Sequence, residues 1–97
     1  MAKKKTVKLN QDDINNLSND KPVVYKILNN KGENIYTGSA KRSRVTERIK
    51  EHLPGGSDPI PGGAKVKIDQ HGSIDEAQKS ETRIISRTKP KYNRRGK

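Results

Sequence analysis

The chain has no cysteine, phenylalanine or tryptophan, only three tyrosines, and 27% hydrophobic residues. The missing cysteines exclude a disulfide framework and any Cys-ligated zinc or iron-sulfur centre. No run of apolar residues is long enough to span a bilayer, so no membrane partner is expected. The basic start, Met1 to Lys5, is not followed by the apolar stretch of a secretory leader, and the cytoplasm is the expected compartment. So few apolar residues among 97 allow only a small core, and the combination with high charge is typical of disordered chains. Position argues the other way. Most Val, Ile and Leu residues lie between Val23 and Ile85, where they fall at strand and helix periods.

Acids are also scarce. Against 22 Lys and Arg stand 11 Asp and Glu, a formal net charge of +11. A field of that strength on a small body favours polyanions, nucleic acid first among them. The charge gathers after Ala40, in Lys41, Arg42, Arg44, Arg48 and Lys50, and again from Arg83 to Lys97. The extreme ends read as solubilising tails. The middle cluster is expected to contact phosphate.

Residues 1–21 read as a basic tail with a short helix capped by Asn10, with Asp12 and Asp13 in its first turn. Val23 to Leu28 is rich in β-branched residues and reads as a strand. Asn29-Asn30-Lys31-Gly32 is turn chemistry, and Asn34 to Thr37 forms the second arm of an antiparallel hairpin. A helix is expected from about Arg44 to Leu53, with Val45, Ile49 and Leu53 as its apolar row and Arg44, Arg48 and His52 stacked beside it. Residues 54–63 are a loop dominated by Pro and Gly. Ala64 to Ile68 alternates as a third strand, apolar on one face and basic on the other. Ser73 and Glu76 form a capping box opening a helix from Ile74 to about Thr88, which Pro90 stops. The expected fold is α+β: a small three-stranded antiparallel sheet flanked by helices over residues 22–93, with a basic tail at 94–97.

One residue of the last helix breaks its pattern. Glu81 stands where the stripe Ile74, Ala77, Ile84 and Ile85 calls for an apolar side chain. A carboxylate beside a core needs compensation. It either pairs at the stripe's edge with Lys79 or Arg83, or it binds a cation, for which Mg²⁺ suits a lone carboxylate completed by waters and phosphate.

Taken in order, Val23-Val24-Tyr25, Tyr36-Thr37-Gly38, Arg48 with His52, Glu81, and Pro90-Lys91-Tyr92-Asn93 resemble the motifs of the GIY-YIG nuclease family. Val23 replaces the first motif's Gly and Thr37 the second motif's usual Ile. The segment before Arg48 is longer than in many members, so Arg44 is a rival for the arginine role. The resemblance implies hydrolysis of DNA phosphodiester bonds with Mg²⁺ or Mn²⁺ bound by Glu81. It implies a catalytic set of Tyr25, Tyr36, Arg48, His52, Glu81 and Asn93. Either tyrosine could orient and deprotonate a water, its phenolate favoured by positive charge nearby. Arg48 would clamp a phosphate oxygen, His52 would donate to phosphate or move a proton, and Asn93 would orient a tyrosine or the phosphate by hydrogen bonding. Lys41, Arg42, Arg44, Lys89 and Lys91 are the expected nucleic-acid contacts. A basic binding protein on the same fold that does not cut is the alternative. RNA in place of DNA, a protein partner supplying specificity, and the oligomeric state are left open by the sequence.

Overall fold

The computed structural model describes residues 4–17, 19–53, 55–90 and 92. Its elements are β1 (Lys4–Lys8), α1 (Gln11–Asn15), β2 (Val23–Leu28), β3 (Asn34–Ala40), α2 (Val45–Lys50), β4 (Lys65–Gln70) and α3 (Ile74–Thr88). The strands form one sheet in the order β1-β4-β2-β3, antiparallel throughout.

The sheet therefore has four strands where the sequence predicts three. The extra one, β1, comes from the segment expected as a tail, and it pairs with β4 from Lys4 opposite Asp69 to Lys8 opposite Lys65. A stretch reading Lys-Lys-Thr-Val-Lys offers one apolar residue and no visible alternation. Its strand state comes from pairing the otherwise bare edge of β4, with Val7 packed against the core. Strand β3 also runs three residues further than expected, because Gly38, Ser39 and Ala40 continue the pairing with Tyr25, Val24 and Val23. The β2–β3 turn is held by the Asn29 side chain, which accepts from the backbone N–H groups of Lys31 and Glu33 at 3.0 and 2.9 Å.

Strand register assigns the side chains to two faces. Val23, Tyr25, Ile27, Val66 and Ile68 share one face and pack with Ile14 of α1, Val45 and Ile49 of α2, and Ile60 of the loop that follows. On the other face α3 lies across β3 and β2. There Val24 and Ala77 are buried apart from the main cluster. Helix α3 is capped as expected by the Ser73 hydroxyl, which accepts from the Glu76 N–H at 3.2 Å. The Glu76 carboxylate, however, reaches back to the Gly72 N–H at 3.2 Å, one residue before the position a capping box uses. The helix ends in a left-handed Lys89 (φ 47°) just before Pro90.

Helix α2 is shorter than its apolar row suggests. Its N-cap, Arg44, makes no side-chain cap bond. The cap comes instead from Asn19, whose side-chain oxygen accepts from the Thr46 N–H at 3.0 Å. Beyond Lys50 the backbone tightens, with the N–H groups of Glu51, His52 and Leu53 each bonding three residues back. A three-residue turn rotates each following side chain further than an α-helix would. His52 thereby leaves the row of Arg44 and Arg48 and turns into the protein.

Candidate active site

The site is built around the outer edge of the sheet, where β3 has no strand beyond it. Tyr25, on the neighbouring β2, reaches that edge by lying over Gly38, its cross-strand partner. A Cβ on Gly38 would stand 2.6 Å from the Tyr25 hydroxyl, so only glycine lets the phenol cross. Tyr25 is 0% exposed, and its hydroxyl lies 2.8 Å from Nε2 of His52.

His52 is itself only 2% exposed. Its other ring nitrogen, Nδ1, lies 2.9 Å from the backbone carbonyl of Asp58. A carbonyl can only accept, so Nδ1 carries the proton. Burial pulls the imidazole pKa below its ordinary 6.5, against the opposing pull of Asp58 and Glu51. The ring is therefore neutral, Nε2 is bare, and the Tyr25 O–H donates to it. The loop is fixed for this purpose: the Asp58 N–H bonds the Glu51 carbonyl at 2.9 Å and the Ile60 N–H bonds the His52 carbonyl at 3.2 Å. Asp58 and Glu51 were not legible as site residues. Asp58 sits inside a loop whose composition signals only a turn.

The phenolate expected from the sequence is disfavoured at Tyr25. Burial raises its pKa far above 10, and Tyr36, Glu81 and Glu51 add to the rise, while Arg48 opposes it. Desolvation wins because the hydroxyl is sealed and already satisfied by a neutral acceptor. Tyr36 completes an aromatic cluster, its ring centroid 4.7 Å from that of His52 and 6.2 Å from that of Tyr25. Unlike Tyr25, it is half-buried and reaches the surface.

Arg48 and Glu81 approach from opposite sides, one on α2 and the other on α3, and both act electrostatically on Tyr25. Arg48 holds Glu51 only loosely, at 3.8 Å on the surface, and is available to a phosphate at little expense. Its rival Arg44 is exposed and bonded to Glu47 at 2.7 Å. Both arginines, with Lys41 and Ser39, line a cleft of about 320 Å³. Glu81 does not pair with Lys79 or Arg83. Its Oε1 accepts from the Ser39 hydroxyl at 2.7 Å, a partner with no signal in the sequence beyond its place next to Gly38.

The structure thus gathers Tyr25, Tyr36, Arg48, His52 and Glu81. Arg42 is exposed on the loop leaving β3. Lys89 sits at the far end of α3, in a separate cleft of about 780 Å³ beside Asn34 and Tyr92. Asn93 and Lys91 lie outside the described residues. Among the described residues no three His, Asp or Glu side chains form a metal cage. A single half-buried carboxylate beside a basic cleft fits a Mg²⁺ that keeps its waters and shares a substrate phosphate.

The sequence profile of the GIY-YIG catalytic domain matches residues 21–93, most of the chain. The chain therefore belongs to the GIY-YIG family, a family of nucleases acting on nucleic acid and generally dependent on divalent metal ions. No curated protein matches the sequence. Among the described residues no helix is long and apolar enough to cross a membrane.

Proposed function

We propose that this protein is a metal-dependent endonuclease that hydrolyses DNA phosphodiester bonds at the β3 edge. The observation that carries the reading is the hydrogen-bonded chain from Tyr25 through neutral His52 to the Asp58 carbonyl, with Glu81 and Arg48 flanking it. A sealed polar chain of this kind is more than packing requires, since an apolar pair of the same shape would fill the space without desolvating polar groups.

Of the two phenols, Tyr36 is the one a water can meet, and it orients the nucleophile. The Tyr25–His52 pair accepts the proton. Tyr25 takes it from the water as its own O–H proton passes to Nε2, leaving an imidazolium whose Nδ1–H stays on the Asp58 carbonyl. The Tyr25 hydroxyl is sealed in the free protein, so this route requires substrate binding to open it to the water. Arg48 holds a non-bridging oxygen through its planar fork. Glu81, fixed by Ser39, would hold the Mg²⁺ or Mn²⁺. When bound, that ion supplies Lewis-acid stabilisation of the leaving oxygen. Lys41, Arg42 and Arg44 track the flanking phosphates, with Lys89 and Lys91 further along the strand. Asn93 orients the phosphate. The cytoplasm is the proposed compartment.

Cleavage of duplex, nicked, flapped, branched and single-stranded DNA, with RNA as a control, tests this with and without divalent cation. Metal-dependent cutting of one DNA form is expected. Tight binding with no cutting of any substrate would instead support the non-catalytic reading.

A further inference from the structure

The sheet face under α3 is only half covered. The helix lies over β3 and β2. Beyond it, β4 and β1 turn Lys65, Lys67, Thr6 and Lys8 outward. Lys8 stands directly opposite Lys65. Lys67 stands opposite Thr6 on one side and Lys26 on the other. Like charges facing each other across a ladder raise the energy of the folded state. Lysines on an edge strand protect it from aggregation, which accounts for β1. That reason does not reach Lys65 and Lys67, because β4 is an interior strand paired on both sides. Solubility does not require them either in a chain of net charge +11. Among the described residues Lys8, Lys65 and Lys67 form no ion pair. Asp69, half-buried, is the acid on the same side of β4. Strand β1 also lies outside the family match at residues 21–93, so the strand that widens this surface is an addition to the shared domain.

We propose that the outer face of β1 and β4 docks the phosphate backbone of the nucleic acid, away from the cutting edge. Charge complementarity selects the occupant: a row of lysines without aromatic or hydrogen-bonding specificity suits a regular polyanion. The inference rests on the nucleic-acid part of the reading above and not on catalysis. It implies that the bound strand or a neighbouring duplex spans from the β3 edge to the opposite side of the sheet.

The test is a full-length chain carrying Lys8→Gln, Lys65→Gln and Lys67→Gln together, measured by fluorescence anisotropy with labelled duplex on a Glu81→Gln background. The slope of log affinity against log salt should fall by about 2.7, from about 0.9 per lost phosphate contact. The matching triple Lys→Arg variant should keep the parental slope. In a cutting-competent chain the Gln variant should raise KM and leave kcat unchanged. Without nucleic acid it should melt at or above the parent's temperature, since the Lys8–Lys65 like-charge pair is gone. An unchanged slope, or a lower melting temperature, overturns the proposal. So does a variant that loses affinity for anionic lipid vesicles but not for DNA. A chain that shows the slope change yet never cuts leaves this inference standing and removes only the nuclease reading.

Discussion

At the β3 edge the polar side chains have fixed partners: Tyr25 with His52, His52 with the Asp58 carbonyl, Ser39 with Glu81. At the β1 end of the same sheet Lys65 stands opposite Lys8, and Lys67 stands between Thr6 and Lys26. Both ends are cationic territory, yet they are organised differently. Chemistry on a phosphodiester needs groups preorganised to within fractions of an ångström, in a place where water does not compete. Holding a polyanion needs only charge at the right side of the molecule, and mobile lysines on an open face supply it. The difference between the two ends separates cutting from holding, and substitutions at each end should move one and spare the other.

Glu81→Gln should make the sharpest break. It keeps the side chain's shape and its bond from Ser39 but removes the charge a cation needs. Cleavage should fall about 10³-fold, the scale seen when a charge-stabilising group is lost. DNA affinity in anisotropy should stay within about a factor of two, as the phosphate contacts that govern it are untouched. A parallel loss of both would show that the two ends are not separable.

Gly38→Ala should come next. Its Cβ would meet the Tyr25 hydroxyl at 2.6 Å, pushing the phenol off His52. Overpacking of this kind destabilises by about 1–3 kcal/mol, which thermal melts would read directly. Cleavage should fall with it. An unchanged melting temperature would mean that the edge is more pliable than its hydrogen bonds suggest.

The buried pair also sets a stability window. His52 has a folded-state pKa below its ordinary 6.5, so on acidification through that value the unfolded chain takes up a proton that the folded chain resists, and stability falls. Tyr25 is raised above its ordinary 10, so on alkalinisation past that value the unfolded chain releases a proton that the folded chain keeps, and stability falls again. Melting temperature against pH should show a plateau bounded by these two values. Cutting should fade on the acid side as His52 protonates and can no longer accept. Replacing the lysines of β4 should leave both limits where they are.

The smallest effect is expected at Glu51→Gln. The Arg48–Glu51 contact is long and exposed, and surface pairs contribute about 0–1 kcal/mol. Stability should hardly change, while freeing Arg48 should slightly lower KM. A large loss of stability would mean that the Glu51 carboxylate does more than hold this exposed contact with Arg48.

Much of the frame was legible because it rests on local rules. The hairpin showed itself through β-branched residues around an Asn/Gly turn, and α3 through its capping box and Pro90. Glu81 stood out as an acid in an apolar stripe. Strand β1 was not legible, since a charged segment becomes a strand only when a partner edge is offered. Nor was the turning of His52, which depends on how the backbone tightens after Lys50. The remote cap of α2 by Asn19 joins residues 27 apart in sequence, and no window of neighbours contains both.

The amino-acid order by itself settled the kinds of residue available: a cationic surplus, two early tyrosines, one misplaced acid, and the order of strands and helices that carries them. Those properties follow from side-chain chemistry and short-range periodicity. The folded chain decided which groups meet and in what state of protonation. Proton affinity depends on burial and on partners brought from elsewhere, so a phenol that composition would pair with cations became a sealed donor to a neutral imidazole.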